Sequence, residues 1–458
     1  MPITSELPRL LSAIAVIGSY GALCAIIAWR EHKRRITHAG YGARHAPFAA
    51  GTQPLTLVFA SQTGFAEDIA LGAAQQLRDA GVPADAMPLE QLDAARLSAS
   101  SRLLFVASTC GDGDAPDNAM TFVQRSMTEQ TSLAHLEYGL LALGDRSYRH
   151  FCRFGRQLDN WLQQSGARPL FERIEVDRGD ATALADWQHR LGHLSGSADL
   201  PTRSQPTLSS WQLVERAHLN PGSAGLPTYD LKLSPADGSP IHWEAGDLVQ
   251  LTPPGDPTHP REYSIASIPA EGHLRLLVRQ QQRADGSPGV ASGWLTRELP
   301  PGEHIALRIR PHRNFRLGDN LRRPLILIGN GTGLAGLRAH LSARIAAGDH
   351  RNWLIFGERN ACHDFYYRDE IEGWLAGDHI VRADFAFSRD QQDRIYVQDL
   401  ILKGADTLRD WVADGAAIYV CGNAVGMASA VDQALGTVLG KDARDQLLAE
   451  GRYRRDVY

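Results

Sequence analysis

The chain has 458 residues, 43% of them hydrophobic and 22% charged, with a formal net charge of −5 and five cysteines. That length and composition suit roughly three globular domains with sizeable cores. The mild negative charge offers no electrostatic footprint for nucleic acid, which is excluded as a partner. The cysteines at 24, 110, 152, 362 and 421 show no C-x-x-C spacing, which argues against a structural metal, an iron–sulfur cluster or a disulfide framework.

Residues 1–9 precede an uncharged apolar run over 10–29, about the length a helix needs to cross a hydrocarbon core. Arg30, Lys33, Arg34 and Arg35 follow it, against Arg9 before it. The positive-inside rule therefore predicts a single-pass membrane protein, with 1–9 extracytoplasmic and the body in the cytoplasm. Residues 30–54 lack clear periodicity and read as a tether.

Residues 55–195 alternate short buried-type strands with helical patterns, as in a doubly wound parallel sheet. The first strand, 55–60, runs into Ser61, Gln62, Thr63, Gly64, Phe65, Ala66 and a helix. Such a loop can bind a phosphate through backbone N–H groups and hydroxyls, and it lacks the lysine of a nucleoside-triphosphatase loop. A phosphate monoester held without a cation fits flavin mononucleotide, FMN. The second strand leads to Ser108, Thr109, Cys110, Gly111, Asp112 and Gly113. The third leads through Leu143 to Gly144, Asp145, Tyr148 and Phe151, with Tyr148 a candidate stacking face. Three loops at the carboxyl ends of parallel strands converging on one ligand follow the rule for open α/β sites. Asp177 could touch the ring edge or merely solvate a loop.

Residues 196–207 read as a linker, and 208–321 change to short alternating runs between Pro/Gly-rich turns, which predicts an antiparallel β-barrel. Within it, Arg261, Tyr263 and Ser264 offer a guanidinium for a pyrophosphate, a ring to lie on an isoalloxazine and a hydroxyl for its reactive nitrogen. Gly289, Val290, Ala291 and Ser292 open a helix with small residues, a second pyrophosphate cradle.

From 322 to 458 the pattern returns to strand and helix. A buried strand turns at Gly331, Thr332 and Gly333 into a helix, as in a Rossmann-like domain. Further on, Ser388, Arg389, Arg394, Tyr396 and Gln398 gather two guanidiniums and hydroxyls suited to a ribose phosphate, favouring NADPH over NADH. The last strand delivers Cys421 and Gly422, and the chain ends in Asp456 and Tyr458.

These ordered motifs over 55–458 resemble the diflavin reductases, a family that includes microsomal NADPH–cytochrome reductase and the flavoprotein subunit of sulfite reductase. The resemblance implies that residues 61–66 hold the FMN phosphate and that the loops after the second and third strands hold its ring. FAD would meet Arg261, Tyr263, Ser264, Gly289, Val290, Ala291, Ser292 and Tyr458. NADPH would meet Gly331, Thr332, Gly333, Ser388, Arg389, Arg394, Tyr396, Gln398, Cys421 and Gly422. Ser264, Cys421 and Asp456 align with the polar trio around the nicotinamide and the flavin ring, and Tyr458 with the aromatic that covers FAD and moves aside. Electrons would pass from NADPH through FAD and FMN to a one-electron acceptor, a haem or metal protein. The run Leu143-Gly144-Asp145-x-Ser147-Tyr148-x-x-Phe151-Cys152 is closer to the sulfite reductase branch. Cys110 stands where the microsomal branch has an aromatic. The large helical insert of the family is missing, with only 253–260 at that position. The expected function is a membrane-anchored NADPH-dependent diflavin reductase serving a haem protein. The alternatives are a sulfite reductase flavoprotein component and a non-catalytic flavin-binding membrane tether.

Overall fold

The computed structural model describes residues 54–458 apart from 112, 129–130, 197–206, 241 and 258. The expected membrane helix at 10–29, almost all of the tether and linker, and Asp112 lie outside the described residues.

The first domain is a parallel sheet built from β1 (Leu55–Ala60), β2 (Ala84–Pro88), β3 (Arg102–Ser108), β4 (Glu137–Gly144), β5 (Arg168–Pro169) and β6 (Ile174–Asp177). Its order is β2-β1-β3-β4-β5, with β6 also on β4. This is the flavodoxin-like order, with its switch point between β1 and β3. Side chains alternate across a strand, so β1 feeds two cores: Leu55, Leu57 and Phe59 enter one, Val58 and Ala60 the other. Helices cover both faces, among them α1 (Phe65–Asp79), α2 (Arg153–Gln164) and α3 (Ala181–Ser195). Asp177 at the end of β6 accepts the Arg146 N–H at 3.0 Å. That bond ties a loop.

The second domain is the six-stranded antiparallel sheet β10-β9-β12-β7-β8-β11, made by β7 (Ser209–His218), β8 (Thr228–Pro235), β9 (Leu248–Leu251), β10 (Arg261–Ser264), β11 (Leu274–Arg279) and β12 (His304–Arg310). A bridge between Ile265 and Leu276 joins its two ends and closes the expected barrel. The helix predicted to open at 289 is a four-residue turn, α4 (Val290–Gly293), running into a π-helical turn.

The third domain is the parallel sheet β15-β14-β13-β16-β17, from β13 (Leu325–Asn330), β14 (Asn352–Glu358), β15 (Arg382–Phe387), β16 (Ala417–Gly422) and β17 (Tyr453–Val457). The helix after β13 is α5 (Leu334–Ala346). The chain terminus, which by its charge could be a disordered tail, is an edge strand paired with β16 from Tyr453 to Val457.

The membrane assignment is corrected. Among the described residues no helix is long and apolar enough to cross a membrane. The longest described helices, α1 and α3, have 15 residues each, where a span needs about 20.

Close packing sets one test of this fold. Helix α2 lies on the sheet because Gly155 has no side chain, and a Cβ there would overlap that of Ala142 on β4. Gly155→Ala is expected to destabilise the first domain by about 1–3 kcal/mol. Urea unfolding followed by flavin release measures this, and an unchanged midpoint would contradict the packing.

Candidate functional site

The ends of β1, β3 and β4 and the start of the chain's last turn surround one cavity of about 640 Å³. Of the residues expected at FMN, Gln62, Thr63, Phe65, Ser108, Thr109, Cys110, Gly111, Leu143, Gly144, Asp145, Tyr148 and Phe151 line it. Ser61, Gly64, Ala66 and Gly113 do not, but three of these shape its walls. The Ser61 hydroxyl accepts the Gly64 N–H at 2.9 Å, and Gly64 takes φ 92° to start α1. Gly113 takes φ 109°, and a Cβ there would stand 2.7 Å from both the His150 Cβ and the Arg153 Cδ. The Cys110 thiol lies 3.8 Å from Gln62 Oε1, and burial raises its pKa, so it is a protonated, weakly polar wall.

The opposite wall comes from the other two domains: Gln250, Arg261 and Glu262 of the barrel region, and Val457 and Tyr458 of the terminus. The first domain docks on them directly. Gln62 Nε2 donates to the Arg455 carbonyl at 2.8 Å and to Asp117 Oδ2 at 3.0 Å, while Arg455 Nε donates to Asp117 Oδ1 at 3.0 Å. Asn314 Nδ2 donates to the Ser61 carbonyl at 2.8 Å, and Arg308 Nη2 to Asp68 Oδ2 at 2.8 Å. Arg313 pairs with Glu67. The buried His312 meets the Gln62 carbonyl at 2.8 Å through Nε2, which must donate because a carbonyl only accepts.

Behind this wall the trio assembles from three strands distant in sequence. Ser264 Oγ donates to Asp456 Oδ2 at 2.7 Å, and Cys421 Sγ lies 3.7 Å from the same oxygen. All three are buried. Burial, reinforced by the Asp456 charge, pushes the Cys421 thiol well up, so it stays protonated and donates. Tyr458 is 51% exposed, its hydroxyl 3.3 Å from Thr332 Oγ1, and its ring lines the cavity. Gly333 leaves no room for a side chain against the Cys421 carbonyl, which brings the turn after β13 onto the end of β16.

Several expected residues fall elsewhere. Tyr263 is half-buried against the barrel core. Arg261 does line the first cavity, but its guanidinium bonds Asp256 Oδ2 at 3.0 Å and the His259 carbonyl. Gly289, Val290, Ala291 and Ser292 line neither large cavity, and Ser292 Oγ accepts the Gln281 N–H at 2.9 Å. A second cavity of about 430 Å³ gathers Gly331, Ser388, Tyr396 and Gln398 with Arg279, Glu358, Arg359 and Met427. Arg389 and Arg394 are exposed outside its lining. Arg279 and Arg359 are the cations that line it, and they were missed because strand ends 80 residues apart in sequence carry no joint signal.

The residues around the two cavities suit FMN and a nicotinamide nucleotide by their donors and cradles, whereas Tyr263, Gly289, Val290, Ala291 and Ser292, expected at FAD, line neither. The first cavity has glycine-turned loops and buried polar atoms at its wall. At the second, Gly331 at φ 57° brings backbone beside the Arg279 guanidinium, next to Ser388 and Tyr396.

A flavodoxin-like sheet facing a barrel and a nicotinamide-binding sheet define a flavin-dependent oxidoreductase. Family models agree: that described as "Flavodoxin" matches residues 57–187, and that described as "Oxidoreductase NAD-binding domain" matches 327–433. The chain is 27% identical to the sulfite reductase [NADPH] flavoprotein alpha-component of Vibrio cholerae, over 90% of this chain and 88% of that one. It is 28% identical to the protein of the same name from Neisseria meningitidis serogroup C, over 100% of this chain and 98% of the relative. Along nearly its whole length the chain is similar to NADPH flavoproteins of the diflavin reductase kind, a similarity that supports FMN, FAD and NADPH as its cofactors. The Neisseria alignment runs over 593 positions, more than this chain possesses, in keeping with the short stretch at 253–260. The comparisons lend no support to a membrane anchor.

His312 makes docking sensitive to acid. Burial lowers its pKa below the ordinary 6.5 or so, with Asp456 and the Gln62 carbonyl pulling the other way and Arg310 adding to the decrease. To the extent that undocking returns the ring to water and its ordinary value, the docked form is favoured above about pH 6.5 and loses up to roughly 1.4 kcal/mol for each pH unit below it, until the lowered pKa is reached. X-ray scattering of the full chain should show a larger radius at pH 5 than at pH 7.5, and His312→Asn should flatten the difference. Equal radii in the unaltered protein would refute it.

Proposed function

We propose that this protein is the NADPH-oxidising flavoprotein component of a sulfite-reductase-type pair, delivering electrons to a haem-containing partner. The observation that carries the reading is the shared cavity. Its one wall is three flavodoxin-type loops, and its other wall is the terminus whose Asp456 holds Ser264 and Cys421. When bound, the nicotinamide supplies a hydride and the two flavins divide it into single electrons.

The chain's residues position and protect that exchange. Ser264 and Cys421 both present protons to Asp456, which orients the hydroxyl on the cavity side of the barrel. Tyr458 stands between the turn at Thr332 and the large cavity, so a nicotinamide reaching the trio requires its ring to move. Gln62, Thr63 and Phe65, with the β3 and β4 loops, would hold FMN, and Ser388, Tyr396 and Gln398 the nucleotide phosphate, with Arg359 and Arg279 as the cations at hand. Arg389 and Arg394 would act from the rim. Arg261, Tyr263, Gly289, Val290, Ala291 and Ser292 stay the proposed contacts for the remainder of FAD.

Support for the partner comes from the relatives' printed name, an alpha-component, and from the run Leu143 to Cys152. A different haem protein as acceptor is the second reading, favoured by the short 253–260 stretch, which leaves the docking face unlike that of the longer relatives. A non-catalytic flavin binder is disfavoured by the buried trio.

Anaerobic titration with NADPH tests the relay. Near-equal FMN and FAD, both bleached by NADPH and only slowly by NADH, is expected; FAD alone, or no bleaching, would remove the proposal. Ser264→Ala should slow flavin reduction by about 10- to 100-fold with FAD content retained, because one positioned proton donor is lost. Stopped-flow absorbance reads that rate, and an unaltered rate would take Ser264 out of the chemistry.

A further inference from the structure

Three barrel arginines reach the head of α1. Arg308 finds Asp68 and Arg313 finds Glu67, both in the first turn of the helix. Arg310, between them at the end of β12, is 1% exposed and has no such carboxylate on α1 among the described residues. Its guanidinium packs on Gly64, with Nη2 at 3.6 Å and Cζ at 3.7 Å from the place a Cβ would occupy.

The local balance of charge is incomplete. Nε, Nη1 and Nη2 of Arg310 make no well-aligned hydrogen bond among the described residues, although Nη1 lies 3.0 Å from Glu262 Oε1. Glu262 is shared with Gln250 Nε2 at 2.9 Å, and burial raises its pKa, which weakens it as a counter-ion. The head of a helix is itself positive, so a buried guanidinium against it is a meeting of like charges at low dielectric. Unmade guanidinium donors add a desolvation cost. A dianion at the same place would relieve both, and a planar fork of donors is the side chain that suits a phosphate.

We propose that Arg310 completes the FMN phosphate site from across the docking interface, so that FMN occupancy and domain docking stabilise each other. This rests on the reading that residues 61–66 hold the phosphate. The loop carries no cation of its own, and the barrel supplies one only in the docked form. Coupling of this kind is reciprocal: whatever docking adds to FMN affinity, FMN adds to docking.

The test uses the full chain stripped of FMN, with dissociation constants for FMN and for riboflavin, which lacks the phosphate, read by flavin fluorescence. Retained FAD reports that the barrel is intact. Arg310→Gln is expected to weaken FMN by roughly 10- to 100-fold and riboflavin by less than about twofold. The scattering radius of the unaltered protein should be smaller with FMN than with riboflavin, and the two should be equal in the variant. Unchanged FMN affinity, or equal loss of both flavins, overturns the proposal and leaves Arg310 as a partner of Glu262. If Arg310→Gln loses FAD, Arg310→Lys decides: it keeps the charge but not the fork, so the preference for FMN over riboflavin should fall several-fold, and an unchanged preference overturns the proposal. An unaltered protein that binds no FMN would instead overturn the functional reading itself.

Discussion

The contact of Gln62 with Arg455 and Asp117 is the constraint on which the rest of the site depends. It joins the loop after β1 to the last strand of the chain, and β17 in turn completes the nicotinamide-side sheet. Neighbouring residues on a strand point to opposite sides. Arg455 therefore faces the flavodoxin-like domain while Asp456 faces Ser264 and Cys421. One short strand thus sets the distance between the loop after β1 and the buried Ser264, Cys421 and Asp456, and loosening either end of it would disturb both.

The interface mixes strong and weak contacts in a way that suits reversible docking. Pairs such as Arg308 with Asp68 and Arg313 with Glu67 are partly exposed, and such pairs are worth about 0–1 kcal/mol each. Arg310 and His312, by contrast, are almost fully buried, so their charge states matter more than their contacts. A buried arginine beside a helix head and a histidine that must remain neutral make docking respond to what lies in the phosphate loop and to pH.

Much of the fold was legible because its signals are local. Leu55 to Ala60 and Pro324 to Ile328 read as buried strands from composition alone, and β1 and β13 are central strands with two apolar faces. The loops after β1, β3 and β4 read as one site because topology brings the carboxyl ends of parallel strands together. Ser264, Cys421 and Asp456 came only through the family resemblance, since three polar residues scattered over nearly 200 positions show no pattern. The apolar run at 10–29 misled in the opposite direction: hydropathy alone suggested a span, and neither the described helices nor the comparisons sustain that assignment. The exposed Arg389 and Arg394 were inferred from proximity in sequence, whereas the cations lining the second cavity, Arg279 and Arg359, come from different domains.

By itself the sequence determined the order of the strand and helix patterns, the strand that opens each nucleotide-binding sheet and the composition of the loops after β1, β3 and β4. These follow from periodicity and from residues whose preferences act over a few positions. Only the tertiary structure decided which wall faces which: that Tyr458 meets Thr332, that His312 and Asn314 cap the carbonyls of Gln62 and Ser61, and that Arg310 lies over Gly64. Contacts between residues some 250 positions apart depend on how whole domains pack, and no local pattern encodes the side chains that a neighbouring domain will bring.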